Sequence, residues 1–135
     1  MPDGLTPASV LQTGNRVGDS KLAERLRREV EGDVLFDAFE RGRYSTDASI
    51  YQVEPIGVVR AKSVADIQAV LTLAREEGVT VLPRGGGTSQ CGQTVGESIV
   101  VDCARWFNDQ ISLDVENRRV RVRPGMVLGL SLIHI

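Results

Sequence analysis

The residues predict an α/β fold of the α+β kind: a βαβ unit and a mixed sheet, preceded by a helical arm. Three observations carry this. Between Ile56 and Leu82 a strand-like run, a helical apolar period and a second strand-like run follow one another. A long glycine-rich stretch then leads to another apolar run, Ile99-Val100-Val101. Finally, Ile111–Val115 and Arg119–Arg123, joined by Glu116-Asn117-Arg118, read as a hairpin.

Residues 1–19 are rich in Gly, Pro, Ser, Thr and Asn and read as a flexible arm. Ser20 reads as a helix N-cap, with Leu22, Leu26 and Val30 at helical spacing and Gly32 as the stop. Residues 33–40 carry a second short periodic stretch, Val34-Leu35 with Ala38-Phe39, so residues 20–49 form a helical extension. Ile56–Arg60 is the first strand of the domain proper, residues 50–135. Ser63-Val64-Ala65-Asp66 is a weak capping box that starts the next helix, and Gly78 ends it. Val64, Ile67, Val70, Leu71 and Ala74 are its expected core face. Thr80-Val81-Leu82 follows as a strand, expected to run parallel to the first.

The most informative segment comes next: Pro83-Arg84-Gly85-Gly86-Gly87-Thr88-Ser89-Gln90-Cys91-Gly92-Gln93-Thr94. Glycine lets another molecule approach the main chain closely, and consecutive free N–H groups make a concave anion site. Thr88, Ser89 and Gln93 add side-chain donors and Arg84 a fixed positive charge. The spacing excludes two common phosphate loops. Gly87 and Gly92 have the gap of a mononucleotide P-loop, but Gln93 stands where its lysine belongs. Gly85 and Gly87 begin a dinucleotide fingerprint, but Gln90 replaces its third glycine, and residues 88–97 lack a helical period. A phosphate here is held by loop amides, not by a helix terminus. A strand's carboxyl end is also where open α/β sheets commonly bind ligands.

Pro83-Arg84-Gly85-Gly86-Gly87-Thr88-Ser89 followed by Gly92-Gln93 resembles the pyrophosphate loop of FAD-linked oxidases with a PCMH-type FAD-binding domain, the vanillyl-alcohol oxidase superfamily. Tyr44–Tyr51 upstream and Val120–Leu128 downstream resemble the family pattern in the same order. The variant Thr88-Ser89-Gln90-Cys91-Gly92-Gln93 is most similar to members of the D-lactate/D-2-hydroxyglutarate dehydrogenase type. The resemblance implies the N-terminal part of such a domain. It implies FAD as cofactor, held by Arg84, Gly85, Gly86, Gly87, Thr88, Ser89, Gly92 and Gln93. It also implies a small 2-hydroxy acid (D-lactate, D-2-hydroxyglutarate or glycolate) as substrate of the whole protein, and an iron–sulfur half outside this chain. By the same resemblance the fragment alone is inactive. The tail after Gly129, Leu-Ser-Leu-Ile-His-Ile, departs from the pattern and reads as a truncated or misjoined frame.

Composition sets the remaining bounds. With 135 residues, 41% apolar and 25% charged, the chain matches one folded domain. Net charge is −2, and Arg25, Arg27 and Arg28 alternate with Glu24, Glu29 and Glu31, so no nucleic-acid surface is expected. No apolar run approaches the ~20 residues of a membrane helix and no secretory signal opens the chain. The expected location is cytoplasmic or peripheral at the membrane. Cys91 and Cys103 stand too far apart for a redox pair or zinc knuckle, and Cys103 reads as buried. No catalytic or metal-binding residue is assigned, and His134 reads as inert. Asp47 and Tyr51 are candidates for a functional role, but Asp47 reads more strongly as a turn cap and Tyr51 as packed on the sheet; Asp102 and Arg105 read as a salt-bridged surface, and Trp106 as core. Two rival readings stand beside the flavoprotein one: a non-enzymatic nucleotide- or anion-binding module, and a chain too short of neighbouring strands to fold stably.

Overall fold

The computed structural model describes residues 16–127 and residue 129. The expected arm up to residue 15 and the tail from residue 130, with His134, lie outside the described residues. The elements run α1 (Ser20–Glu29), β1 (Asp33–Leu35), α2 (Ala38–Arg43), β2 (Gly57–Arg60), α3 (Val64–Glu77), β3 (Val81–Arg84), β4 (Ile99–Asp102), β5 (Gln110–Asp114) and β6 (Arg119–Val122). Four strands form one sheet in the order β1-β2-β4-β3, and β5 and β6 form a separate hairpin. The sheet is mixed, as expected: β2, β4 and β3 are parallel, and β1 pairs antiparallel with β2.

β2 and β3 are the parallel pair expected of the βαβ unit, but they do not touch. The crossover through α3 leaves a gap that β4 fills, pairing with both. Covered on each side, β4 is buried along its whole length, which explains its unbroken apolar run. On one face, Val59, Ile99 and Val101 pack with Leu22 and Leu26 of α1 and Val70, Leu73 and Ala74 of α3. On the other, Val58 and Val100 meet Tyr44, with Leu35 and Leu82 packed alongside.

Several local expectations need correction. The N-cap of α1 is Asp19, whose carboxylate accepts from the amides of Lys21 and Leu22. Residues 16–19 are anchored: Arg16 pairs with Asp19 and with Glu77 of α3, and the Gly18 amide donates to the Ile56 carbonyl. Residues 33–35 are a strand, since their edge pairing with β2 outweighs a short helical period. Arg41-Gly42-Arg43 completes α2 instead of forming a turn. α3 starts at Ser63, which accepts from the Asp66 amide, and ends at Gly78 in the left-handed region, as expected. Its core face is rotated, however. Leu73 is buried while Val64 and Leu71 are half exposed, and Asp66 is buried because its carboxylate receives the amides of Glu31 and Lys62.

The hairpin's exit strand is pinned to the sheet domain. Arg123 donates its amide to the Asp109 carbonyl, and the Gly125 amide donates to Phe107 at 2.6 Å. A Cβ on Gly125 would strike the carbonyl oxygens of Cys103 and Phe107, which are backbone atoms and cannot swing aside. Gly125→Ala is therefore expected to destabilise the fold by about 2 kcal/mol and to lower Tm by roughly 5–10 °C. A thermal melt superimposable on that of the wild type would show that the contact is absent.

Candidate functional site

The three parallel strands β2, β4 and β3 end on one side of the sheet. Here Arg84 of β3 lies in register with Asp102 of β4 at that end. The chain leaves β3 there and runs through Gly85–Ser98 without helix before re-entering the sheet at Ile99, as the missing helical period predicts.

Most of this loop's main chain is unspent. Among the described residues, the amides of Gly85, Gly86, Gly87, Thr88 and Ser89 donate to no protein acceptor. Gly86 and Thr88 are exposed, and Gly85, Gly87 and Ser89 are half-buried. Gly87 and Gly92 have φ of +66° and +73°, the left-handed region that favours glycine. Ser89 differs from expectation. Its hydroxyl lies 2.9 Å from Gln93 Oε1 and accepts from the Cys91 and Gln93 amides, so it braces the loop's second half. That bond leaves the Gln93 carboxamide nitrogen, the Gln90 carboxamide and the Thr88 hydroxyl as loop side-chain donors without an acceptor among the described residues. Cys91 is exposed, while Cys103 is buried and burial pushes its thiol upward, consistent with a structural residue.

Arg84 holds the loop to a second segment. Its guanidinium donates to the carbonyls of Tyr44 (3.3 Å), Thr46 (2.9 Å) and Thr94 (3.1 Å), and stacks over the Tyr44 ring at 5.2 Å. All three acceptors are neutral, and among the described residues no carboxylate lies within 4.0 Å of it. Its charge is therefore left to act on whatever the loop holds.

That second segment, Tyr44–Val53, folds back on itself through a Thr46–Gln52 bridge and a Val53 amide to Ser45 carbonyl bond. Asp47 caps the turn as expected, accepting the Ser49 amide at 2.9 Å. Its other oxygen reaches across to Thr94, accepting from the hydroxyl at 2.9 Å and the amide at 3.4 Å. Tyr51 is more than half exposed and does not pack on the sheet. Its ring lies against Gly92, where a Cβ would fall 2.5 Å from Cδ2. Sequence reasoning missed this contact between segments, because nothing local marks partners some forty residues apart.

Beneath the loop, Asp102 is buried, not a surface residue. It accepts from the Tyr44 hydroxyl and the Ala104 amide, with Arg60 Nε 4.0 Å away. Burial first, then the bond to Asp102, pushes the Tyr44 phenol upward, so it remains a donor. Arg105 pairs with Asp33 at the surface as expected. Trp106 is 42% exposed between the cations of Lys62 and Arg105, so it is not core. No group of His, Cys, Asp and Glu able to hold a metal occurs among the described residues, and no described helix is long and apolar enough to cross a membrane.

Residues 55–130, more than half the chain, match the FAD binding domain family, and the chain belongs to that family. The family implies FAD as ligand. The chain is similar to D-2-hydroxyglutarate dehydrogenase of Haemophilus influenzae, 37% identical over 100 residues, covering 72% of this chain and 10% of that protein. It is likewise similar to the glycolate oxidase subunit GlcD of Bacillus subtilis, 35% identical over 103 residues, 73% of this chain and 22% of that one. Among solved structures, BBE-like 1 of Physcomitrella patens shares the fold with a TM-score of 0.68 at 24% identity, over 84% of this chain and 26% of its own. The chain thus spans about a tenth to a quarter of the proteins it matches.

The Asp47 carboxyl is drawn down from its ordinary 3.8 to about 2, chiefly by hydrogen bonding from Ser49 and then from Thr94. A depressed folded-state value means that the stabilisation is fully present above the unfolded pKa and is lost as pH falls towards about 2. An NMR titration of the Asp47 carboxyl is expected to give a midpoint well below 3.8. A midpoint at the ordinary value would mean the carboxylate stands free of Thr94.

Proposed function

We propose that this chain is the diphosphate-holding part of a flavin-dependent oxidoreductase whose whole protein oxidises a 2-hydroxy acid of the D-2-hydroxyglutarate or glycolate kind. The observation that carries the reading is the row of amides at Gly85–Ser89 without internal acceptors, at the carboxyl end of a parallel strand. Buried or half-buried amides need partners, and an anion supplies several at once. The names of the similar proteins support the substrate class.

In this reading the amides of Gly85, Gly86, Gly87, Thr88 and Ser89 bind the pyrophosphate oxygens. Gly92 lets the returning chain pass close to the ligand. The Thr88 hydroxyl and the Gln93 carboxamide nitrogen donate from the rim. Arg84 faces only neutral carbonyls and supplies a positive field from below without touching phosphate. FAD, when bound, accepts the hydride of an alcohol oxidation. The part played by these residues is to bind and orient it. No described residue is assigned to proton removal.

Gly86 offers a clean test, because a Cβ there would meet only Thr88 Cγ2, at 3.6 Å, so the protein itself tolerates a side chain. Gly86→Glu sets a carboxylate over the amides. It is expected to weaken FAD binding by tenfold or more, read by flavin fluorescence, with Tm unchanged. Equal FAD affinity in variant and wild type would remove the loop assignment. Preference for ATP over FAD would instead favour a nucleotide-binding module.

A further inference from the structure

We infer that Asp47 is a positioning residue for the anion loop: by latching Thr94, its carboxylate holds the glycine loop open in the shape that receives a diphosphate. The inference rests on the reading of that loop as the diphosphate cradle.

Three observations converge. The Asp47 carboxylate takes both donors of Thr94, across 47 residues of sequence, at the point where the loop turns back towards β4. The carbonyls of Thr46 and Thr94 are both held by the Arg84 guanidinium, so the two segments are joined directly through Asp47 and a second time through Arg84. The Tyr51 ring seals the contact against Gly92. The five unspent amides lie between these ties and the end of β3. Their mutual geometry depends on where the loop's return limb is fixed, because a free loop of this length pays an ordering cost on binding.

The charge of Asp47 makes the inference unusual and testable. A carboxylate beside an anion site opposes the ligand by simple electrostatics. Were Asp47 only a surface charge, its removal would strengthen anion binding. If it acts as the latch, removal weakens binding in spite of the lost repulsion. The two roles predict opposite signs.

The test is calorimetric titration of the full chain with inorganic pyrophosphate and with FAD, comparing wild type, Asp47→Asn, Thr94→Val and the double variant. Asp47→Asn is expected to bind about tenfold more weakly, as for loss of a charge-assisted hydrogen bond. Thr94→Val keeps the amide but loses the hydroxyl, and is expected to bind about threefold more weakly. The double variant should be no weaker than Asp47→Asn alone, since both remove one contact. Each variant is first shown by thermal melting to be fully folded at the titration temperature, so that a smaller folded fraction does not imitate weaker binding. Should Asp47→Asn fail to fold, Thr94→Val decides. Unchanged or tighter binding by these variants, with wild type binding normally, overturns the latch alone. A wild type that binds neither ligand overturns both the latch and the cradle.

Discussion

A single buried carboxylate organises the end of the sheet where the candidate site lies. Asp102 finishes the central strand β4 in an almost solvent-free position, where an unpaired charge is very costly. It is satisfied by the Tyr44 hydroxyl, the Ala104 amide and the more distant Arg60. Binding Tyr44 in this way fixes a ring and a carbonyl on which Arg84 can stack and donate. Arg84 then ties down the loop that follows it. The sequence of dependence runs from strand end to phenol, from phenol to guanidinium, and from guanidinium to glycine loop.

The two arginines around Tyr44 illustrate how environment divides like residues. Arg60 lies within ion-pair reach of Glu40, Asp102 and Asp33, so its charge is spent on the protein. Arg84, which also lies over the Tyr44 ring, meets only carbonyl oxygens. A carbonyl fixes the guanidinium's orientation without cancelling its charge. Structural support and a lasting positive field thus come from one side chain.

Signals that act within a few residues were legible in the sequence. Ser63 and Gly78 bound α3 through contacts made inside the helix ends, and the apolar run Ile99-Val100-Val101 lies in a strand, β4. The glycine loop was legible for the same reason, since backbone freedom is a property of the residue itself. What was not legible depended on partners far along the chain. Three residues of β1 have no strand identity without β2. The buried face of α3 follows the position of α1, and Asp66 is buried only because distant amides reach it. Tyr44, Asp47 and Tyr51 lie in a segment that resembles the family pattern, but their contacts beside the candidate site were not legible, because their partners Asp102, Thr94 and Gly92 lie some forty residues or more away.

Pro83 sits within β3, the outer strand of the sheet. The carbonyls of Thr80 and Arg84 point inward to β4, so by strand alternation Val81 and Pro83 face away from it. Proline there sacrifices no ladder bond and removes a donor from the rim. Among the residues of β3, Val81 alone presents an amide on that border, too few donors for a further strand to pair along it.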